Sequence, residues 1–181
     1  MDDYTLWLLS RALALTSFAA LAVSLLSGIA LRTSVLDFLA TNRALRRLHD
    51  FSTPLWLPLG AGHVVTIVLD NTARVTPLDV VVPGQLAYYD AYGQQAIALG
   101  TISFDLLAIV VVTSWLKRWL PVLVWRWLHR LSYPAAAALF AHALLAGTDF
   151  GTPLVSAAAW ALASLCAVFG LARIAFGRLP A

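Results

Sequence analysis

The chain has 181 residues, of which 61% are hydrophobic and 12% charged, with a mean hydropathy of +0.82 and a formal net charge of +3. A soluble domain of this size carries about a quarter charged residues and less than half apolar ones. Composition therefore excludes a water-soluble enzyme, a disordered tail and a secreted disulfide scaffold, and no polar stretch is long enough for a fused soluble catalytic domain. The expectation is one polytopic membrane domain, whose single cysteine, Cys166, rules out an intrachain disulfide.

A helix needs about 20 apolar residues to cross a hydrocarbon core of roughly 30 Å. Five segments meet that requirement: residues 5–31, 46–69, 94–116, 122–146 and 153–176. The first opens on Asp2 and Asp3, lacks a basic leader and is too long for a signal-peptide core, so it is read as a retained span. Pro54 and Pro58 are expected to interrupt the second span, and Gly60 and Gly62 to give a flat ligand room beside His63. The longest connection, 70–93, carries Pro77, Pro83, Gly84, a Leu78-Asp79-Val80-Val81-Val82 run that can dip into the interface, and a tyrosine cluster from Tyr88 to Tyr92.

Charge orients this five-helix all-α bundle. Ten basic residues, Arg32, Arg43, Arg46, Arg47, Lys117, Arg118, Arg126, Arg130, Arg173 and Arg178, fall on one side. The other side has Arg74, with Arg11 inside the first span, and holds Asp2, Asp3, Asp70, Asp79, Asp90 and Asp149. The positive-inside rule then puts the N-terminus outside and the C-terminus in the cytoplasm of a plasma membrane. The basic excess is a topology signal, and no nucleic-acid partner is expected. Trp115, Trp119, Trp125 and Trp127 flank the inner loop as an aromatic belt would.

All four histidines fall in two spans: His49 and His63 in the second, His129 and His142 in the fourth. Those spans run parallel. His49 and His129 lie near the inner interface, with His63 and His142 respectively 14 and 13 residues further on, about 20 Å higher at a rise of about 1.5 Å per residue. Level pairs, His49 with His129 and His63 with His142, suit two haem irons, each coordinated by an imidazole on both faces and so fitted to pass electrons. Fourteen residues return within roughly 40° of the starting face, whereas thirteen leave His142 about 140° from His129. A kink at Pro134 is expected to restore the phase. A zinc or copper site fits less well, because neither pair has a cysteine or carboxylate at ligand spacing.

The stretch Trp125-Arg126-Trp127-Leu128-His129-Arg130-Leu131-Ser132-Tyr133, continuing through Phe140-Ala141-His142 to Ala146-Gly147-Thr148-Asp149, resembles the ferric reductase-like transmembrane domain family. Arg46-Arg47-Leu48-His49 through Gly62-His63 is similar to that family's other ligand helix, and Val111 to Leu116 fits its bacterial members. The resemblance covers about residues 45–149. It implies a bacterial di-haem b-type cytochrome related to ferric reductases and NADPH oxidases, with His49 and His129 on an inner haem b and His63 and His142 on an outer one. It implies electron flow from the cytoplasm to an acceptor at the outer face. Flavin and nicotinamide domains follow in those enzymes. Here no Gly-rich nucleotide fingerprint occurs before Ala181, so a separate flavoprotein or a membrane quinol is the expected donor. The haem-bearing membrane subunit of a periplasmic methionine sulfoxide reductase system is similar in outline, but differs around Tyr133-Pro134-Ala135. A quinol-linked cytochrome b of another fold uses such spacings too.

Among the remaining polar groups, Asp105 is the one carboxylate deep in a span, either handling protons or donating a hydrogen bond while neutral. Arg11 either snorkels to the headgroups or meets an outer-haem propionate, and Arg47, Arg126 and Arg130 are placed for inner propionates. Asp149 can orient a ligand, attract cations, or stand as a solvated loop residue. The competing reading of the whole chain is a membrane scaffold or small transporter whose histidines pack between helices.

Overall fold

The computed structural model describes residues 2–33, 40–85 and 91–176. Tyr88, Tyr89, Asp90 and Arg178 lie outside the described residues. Among those described there is no β-strand. The helices are α1 (Asp3–Ala30), α2 (Asn42–Leu69), α3 (Pro77–Val81), α4 (Ala91–Trp115), α5 (Val122–His129), α6 (Ser132–Ala146) and α7 (Pro153–Phe176), with 3-10 turns at Lys117–Trp119 and Thr148–Gly151. Four stretches, Asp3–Ala30, Asn42–Leu69, Tyr92–Trp115 and Pro153–Ala175, are long and apolar enough to cross a membrane. The architecture is that of a multi-pass membrane protein.

Burial follows the logic of lipid as solvent. On α1 the buried positions include Ser10, Ser17, Ser24, Ser27, Ala20, Ala22 and Ala30, while large apolar side chains such as Leu154 and Ile174 of α7 stand exposed. Lipid tails are as apolar as leucine, so helices associate through close backbone approach and interhelical hydrogen bonds, which small residues allow.

The chain forms two compact units, residues 1–73 with 152–181, and residues 74–151. In the first, α1 and α2 pack as an antiparallel pair, and α7 adds to α1. Asp2 caps α1 by accepting the Thr5 N–H at 2.8 Å. Asp3 accepts from Asn71 and Thr72 just past the end of α2, fastening one helix's start to the other's finish. Between these ends the pair keeps a heptad register. Ser10, Ser17 and Ser24 on α1, seven apart, meet His63, the Trp56 carbonyl and His49 on α2, also seven apart. That repeat cancels the drift of about 20° per heptad of a straight helix, so both histidines of α2 face α1.

Helix α2 runs unbroken through Pro54 and Pro58, contrary to the expected interruption. Spanning helices tolerate proline where hydroxyls and neighbouring helices supply substitute hydrogen bonds. The carbonyls that lose an N–H partner are those of Asp50 and Pro54; the neighbouring hydroxyls bond adjacent carbonyls instead, Ser52 to Leu48, Thr53 to His49 and Ser17 of α1 to Trp56.

In the second unit α4 packs along α6. The segment 122–146, expected as one span, is two helices divided at Arg130–Leu131. Pro134 accounts for the place of the break. Its ring excludes the carbonyl four residues earlier, that of Arg130, and it has no N–H to offer. The Arg130 carbonyl instead accepts from Tyr133 at 3.1 Å, and Leu131 N–H turns to Leu128 at 3.1 Å, both three-residue bonds. Pro134 itself sits in the first turn of α6, where a missing N–H costs nothing.

The described part of the 70–93 connection contains a short helix. Thr76 and Asp79 form a capping box that starts α3, and Thr101 of α4 donates to the Asp79 carbonyl at 2.8 Å. Gln94 donates to the carbonyl of Gly84, whose φ of 79° is left-handed.

Candidate functional site

Each unit carries two of the four histidines, and each histidine is half-buried against a neighbouring helix. In the first unit, His49 Nδ1 lies 2.8 Å from the Ser24 carbonyl oxygen, with Ser24 Oγ at 3.4 Å. His63 Nδ1 lies 3.0 Å from the Ser10 carbonyl oxygen and 2.9 Å from Ser10 Oγ. In the second, His142 Nδ1 lies 2.8 Å from the Ala96 carbonyl oxygen. A carbonyl oxygen only accepts, so Nδ1 carries the proton in all three rings. The neutral imidazole then has its lone pair on Nε2, the nitrogen that a ligating histidine offers when its other nitrogen is held by the protein.

The hydroxyls around His49 form an ordered relay. Thr53 donates to the His49 carbonyl at 2.7 Å, so Ser24 donates to Thr53 across 2.8 Å and keeps its lone pairs toward the imidazole. His129 is held differently. Its Nδ1 lies 3.3 Å from Ser114 Oγ of α4, and its ring stacks on Trp125 at 5.2 Å between centroids, 28° between planes. The stack follows from the four-residue spacing along α5.

The 14- and 13-residue spacings reach the same result by different means. Two heptads keep His49 and His63 on one face of α2. On α6, His142 and Ala135 are seven apart and meet Ala96 and Ser103 of α4, also seven apart, with Ser103 Oγ donating to the Ala135 carbonyl at 2.9 Å. The break before α6 then rotates α5, so that His129 also reaches α4, at Ser114. The phase is recovered by a break, where a kink in one helix was expected.

Two glycines singled out in the sequence have another use. A Cβ on Gly60 would stand 3.1 Å from Ser17 Oγ, and one on Gly62 would stand 3.1 Å from Leu13 Cδ1. Both admit α1 against α2, and neither holds open a slot for a flat ligand. The glycines that touch histidines are Gly28, whose added Cβ would lie 3.2 Å from His49 Cε1, and Gly100, whose Cβ would lie 2.8 Å from His142 Nδ1.

The charged candidates divide. Arg11 is half-buried on α1 with its guanidinium 4.1 Å from the centre of the Trp7 ring. Arg47 is exposed on α2 and Arg126 half-buried on α5, while Arg130 is exposed and lies 4.4 Å over the Trp127 ring. Asp149 is half-buried in the turn after α6. Asp105 is half-buried on α4, and among the described residues no hydrogen bond joins it to a histidine. Trp115, Trp119 and Trp127 are exposed, as an interfacial belt requires, but Trp125 is not: its Nε1 is buried without a hydrogen-bond partner.

Among the described residues no three His, Cys, Asp or Glu side chains gather to hold a metal ion. Any metal at these histidines would therefore bring its other ligands with it, as a macrocycle does. Reading the sequence for ligands alone passed over Ser10, Ser24, Ala96, Ser114, Gly28 and Gly100. The seven-residue spacing of Ser10, Ser17 and Ser24, matched by 49, 56 and 63, was the available signal. Comparison with protein-family models, curated proteins and solved structures gave no match for this chain.

Proposed function

We propose that this protein carries electrons across a membrane through two b-type haems, in the manner of the ferric reductase-like domains its sequence resembles. The observation that carries the reading is the fixed Nδ1–H tautomer of His49, His63 and His142, each held by a main-chain carbonyl of a neighbouring helix. It leaves the nucleophilic nitrogen at the far end of each ring and raises its basicity, which suits a metal-ligating imidazole. The donor set fits haem iron: imidazole nitrogens, with no carboxylate or thiolate cluster among the described residues.

On this reading, His49 and His129 would hold the inner haem and His63 and His142 the outer. Haem supplies a one-electron iron couple that a polypeptide lacks. The chain's own part would be to orient the imidazoles and offer their nitrogens to the iron. The buried Trp125 N–H, beside His129, supports the fit, because a porphyrin carboxylate would satisfy it. Arg47, Arg126 and Arg130 are the cations for the inner propionates and Arg11 for the outer, the guanidinium fork matching a carboxylate. Five crossings, counting α5 and α6 as one, with the N-terminus outside and the C-terminus in the cytoplasm of a bacterial plasma membrane, complete the proposal. A cytoplasmic flavoprotein or a quinol delivers the electron, and an outer-face acceptor such as ferric chelate, oxygen or a partner protein removes it.

The test is direct. Protein purified after expression with ample haem should give a reduced-minus-oxidised b-type spectrum and two haems per chain by pyridine haemochrome. A preparation without a Soret band overturns the reading. One observation favours the alternative, a scaffold or transporter with structural histidines: the same Nδ1 bonds join helix to helix, as packing histidines do. That alternative predicts no haem at all.

A further inference from the structure

Two glycines touch two of the histidines, and both stand at one position relative to the carbonyl that holds the ring. Gly28 is four residues after Ser24, whose oxygen accepts from His49, and Gly100 is four residues after Ala96, whose oxygen accepts from His142. In an α-helix the carbonyl of residue i points at the N–H of residue i+4. The Cβ of that later residue tilts back toward the helix N-terminus and flanks the oxygen. Where that position is glycine, as at Gly28 and Gly100, no Cβ flanks the oxygen; His63 meets the Ser10 carbonyl past the single methyl of Ala14. The same geometry recurs where no histidine is involved. Gly60 is four residues after Trp56, whose carbonyl accepts from Ser17, and a Cβ on Gly60 would stand 3.1 Å from that hydroxyl.

We propose that Gly100 and Gly28 are positioning residues for His142 and His49: their missing side chains let each imidazole reach a main-chain carbonyl already bonded within its helix, which fixes the ring's tautomer and plane. That the fixed rings then serve as ligands rests on the haem reading above. The two sites differ in tightness. A Cβ on Gly100 would lie 2.8 Å from Nδ1, 2.9 Å from Cε1 and 3.2 Å from Cγ of His142, so the ring is displaced. A Cβ on Gly28 would lie 3.2 and 3.3 Å from Cε1 and Nδ1 of His49, which a shift of a few tenths of an ångström relieves. Gly170 has nothing within 4 Å of its added Cβ and is the control.

The experiment uses the full chain labelled with 15N-histidine, prepared without haem and again with haem added. His142 and His49 are assigned from the signals lost in His142→Gln and His49→Gln. In the haem-free wild type above the imidazole pKa, both rings should show protonated Nδ1 and unprotonated Nε2. Gly100→Ala should move His142 to a mixture of tautomers or to the Nε2–H form. Gly28→Ala should give a smaller shift at His49 alone, and Gly170→Ala none. With haem added, Gly100→Ala should weaken retention of one haem about 10- to 100-fold and change the g-anisotropy of its low-spin signal, leaving the other haem as it was. Circular dichroism checks that the helices survive; should Gly100→Ala fail to fold, Gly28→Ala still decides for its ring. Unchanged tautomers in both alanine variants, or Nε2–H rings in the wild type, overturn the proposal. A wild type with the expected tautomers that takes up no haem overturns the electron-transfer reading instead and leaves the positioning intact.

Discussion

Ser103 offers the sharpest test of how the second unit is held together. Its side chain is 1% exposed, and its hydroxyl donates to the Ala135 carbonyl across 2.9 Å, with Ala135 at 0% exposure. Ser103→Ala removes one interhelical hydrogen bond. The acceptor is a helical carbonyl with its own backbone partner, so the loss is the modest one of a membrane hydrogen bond, about 0.6 kcal/mol and at most about 1.7. Ser103→Leu adds three carbons where backbone already meets backbone, and overpacking contributes about 1–3 kcal/mol more. The expected total is about 2–4 kcal/mol, against about 0.6 for alanine, itself roughly a threefold change in the folded-to-unfolded ratio. Equilibrium unfolding of the purified chain in mixed micelles measures both. Because Ser103 lies two helical turns from Ala96, Ser103→Leu should also loosen His142 before total helicity falls. A leucine variant within about 0.5 kcal/mol of the wild type would refute the close α4–α6 packing and the reasoning built on it.

Other expectations are as definite. His63→Ala or His142→Ala should each take the haem count from two to one while the inner haem's spectrum persists; loss of both haems, or of neither, contradicts the pairing of ligands by depth. Asp105→Asn should leave the haem spectra and the pH dependence of their midpoint potentials unchanged, since no histidine is bonded to Asp105 among the described residues; an altered pH slope would restore a proton-handling role. At the start of α1, the Thr5 side chain, and then its N–H, hold the Asp2 carboxyl below the ordinary carboxylate range. A lowered folded value means that the cap's stabilisation is complete above the ordinary pKa of about 4 and is lost as pH falls through the lowered one. Amide exchange at Thr5, corrected for the intrinsic rate, should therefore quicken at acid pH in the wild type but not in Asp2→Asn, where the amide still caps; equal behaviour of the two would dismiss the carboxylate as the cause.

Hydropathy over windows of about 20 residues marked every long helix, because burial in lipid demands an unbroken apolar run and the chain has few ways to satisfy that. It marked 122–146 as one helix because apolar character does not distinguish a single helix from two consecutive ones. Pro134 was visible, but the consequence of its ring for the Arg130 carbonyl depends on whether a neighbour tolerates a break. In α2 the opposite outcome holds: the helix continues through Pro54 and Pro58. The sequence likewise brought forward the histidines but assigned Gly60 and Gly62 to a ligand, although they admit Ser17 and Leu13 of α1.

By itself the sequence determined that this is an apolar, multi-helix membrane chain, and that its four imidazoles lie on two segments at matched spacing. Both properties are written in one dimension, as residue type and distance along the chain. Which carbonyl each imidazole meets, which tautomer follows, and which glycine opens the way were decided only by the tertiary structure. Those depend on the register between antiparallel helices, α1 with α2 and α4 with α6, and a register is set by contacts between residues up to 69 positions apart. The chain's small net charge and low polar content leave little else to hold it. Interhelical hydrogen bonds from a few serines and histidines, at positions where glycine lets backbones close, do that work because lipid offers them no competing partner.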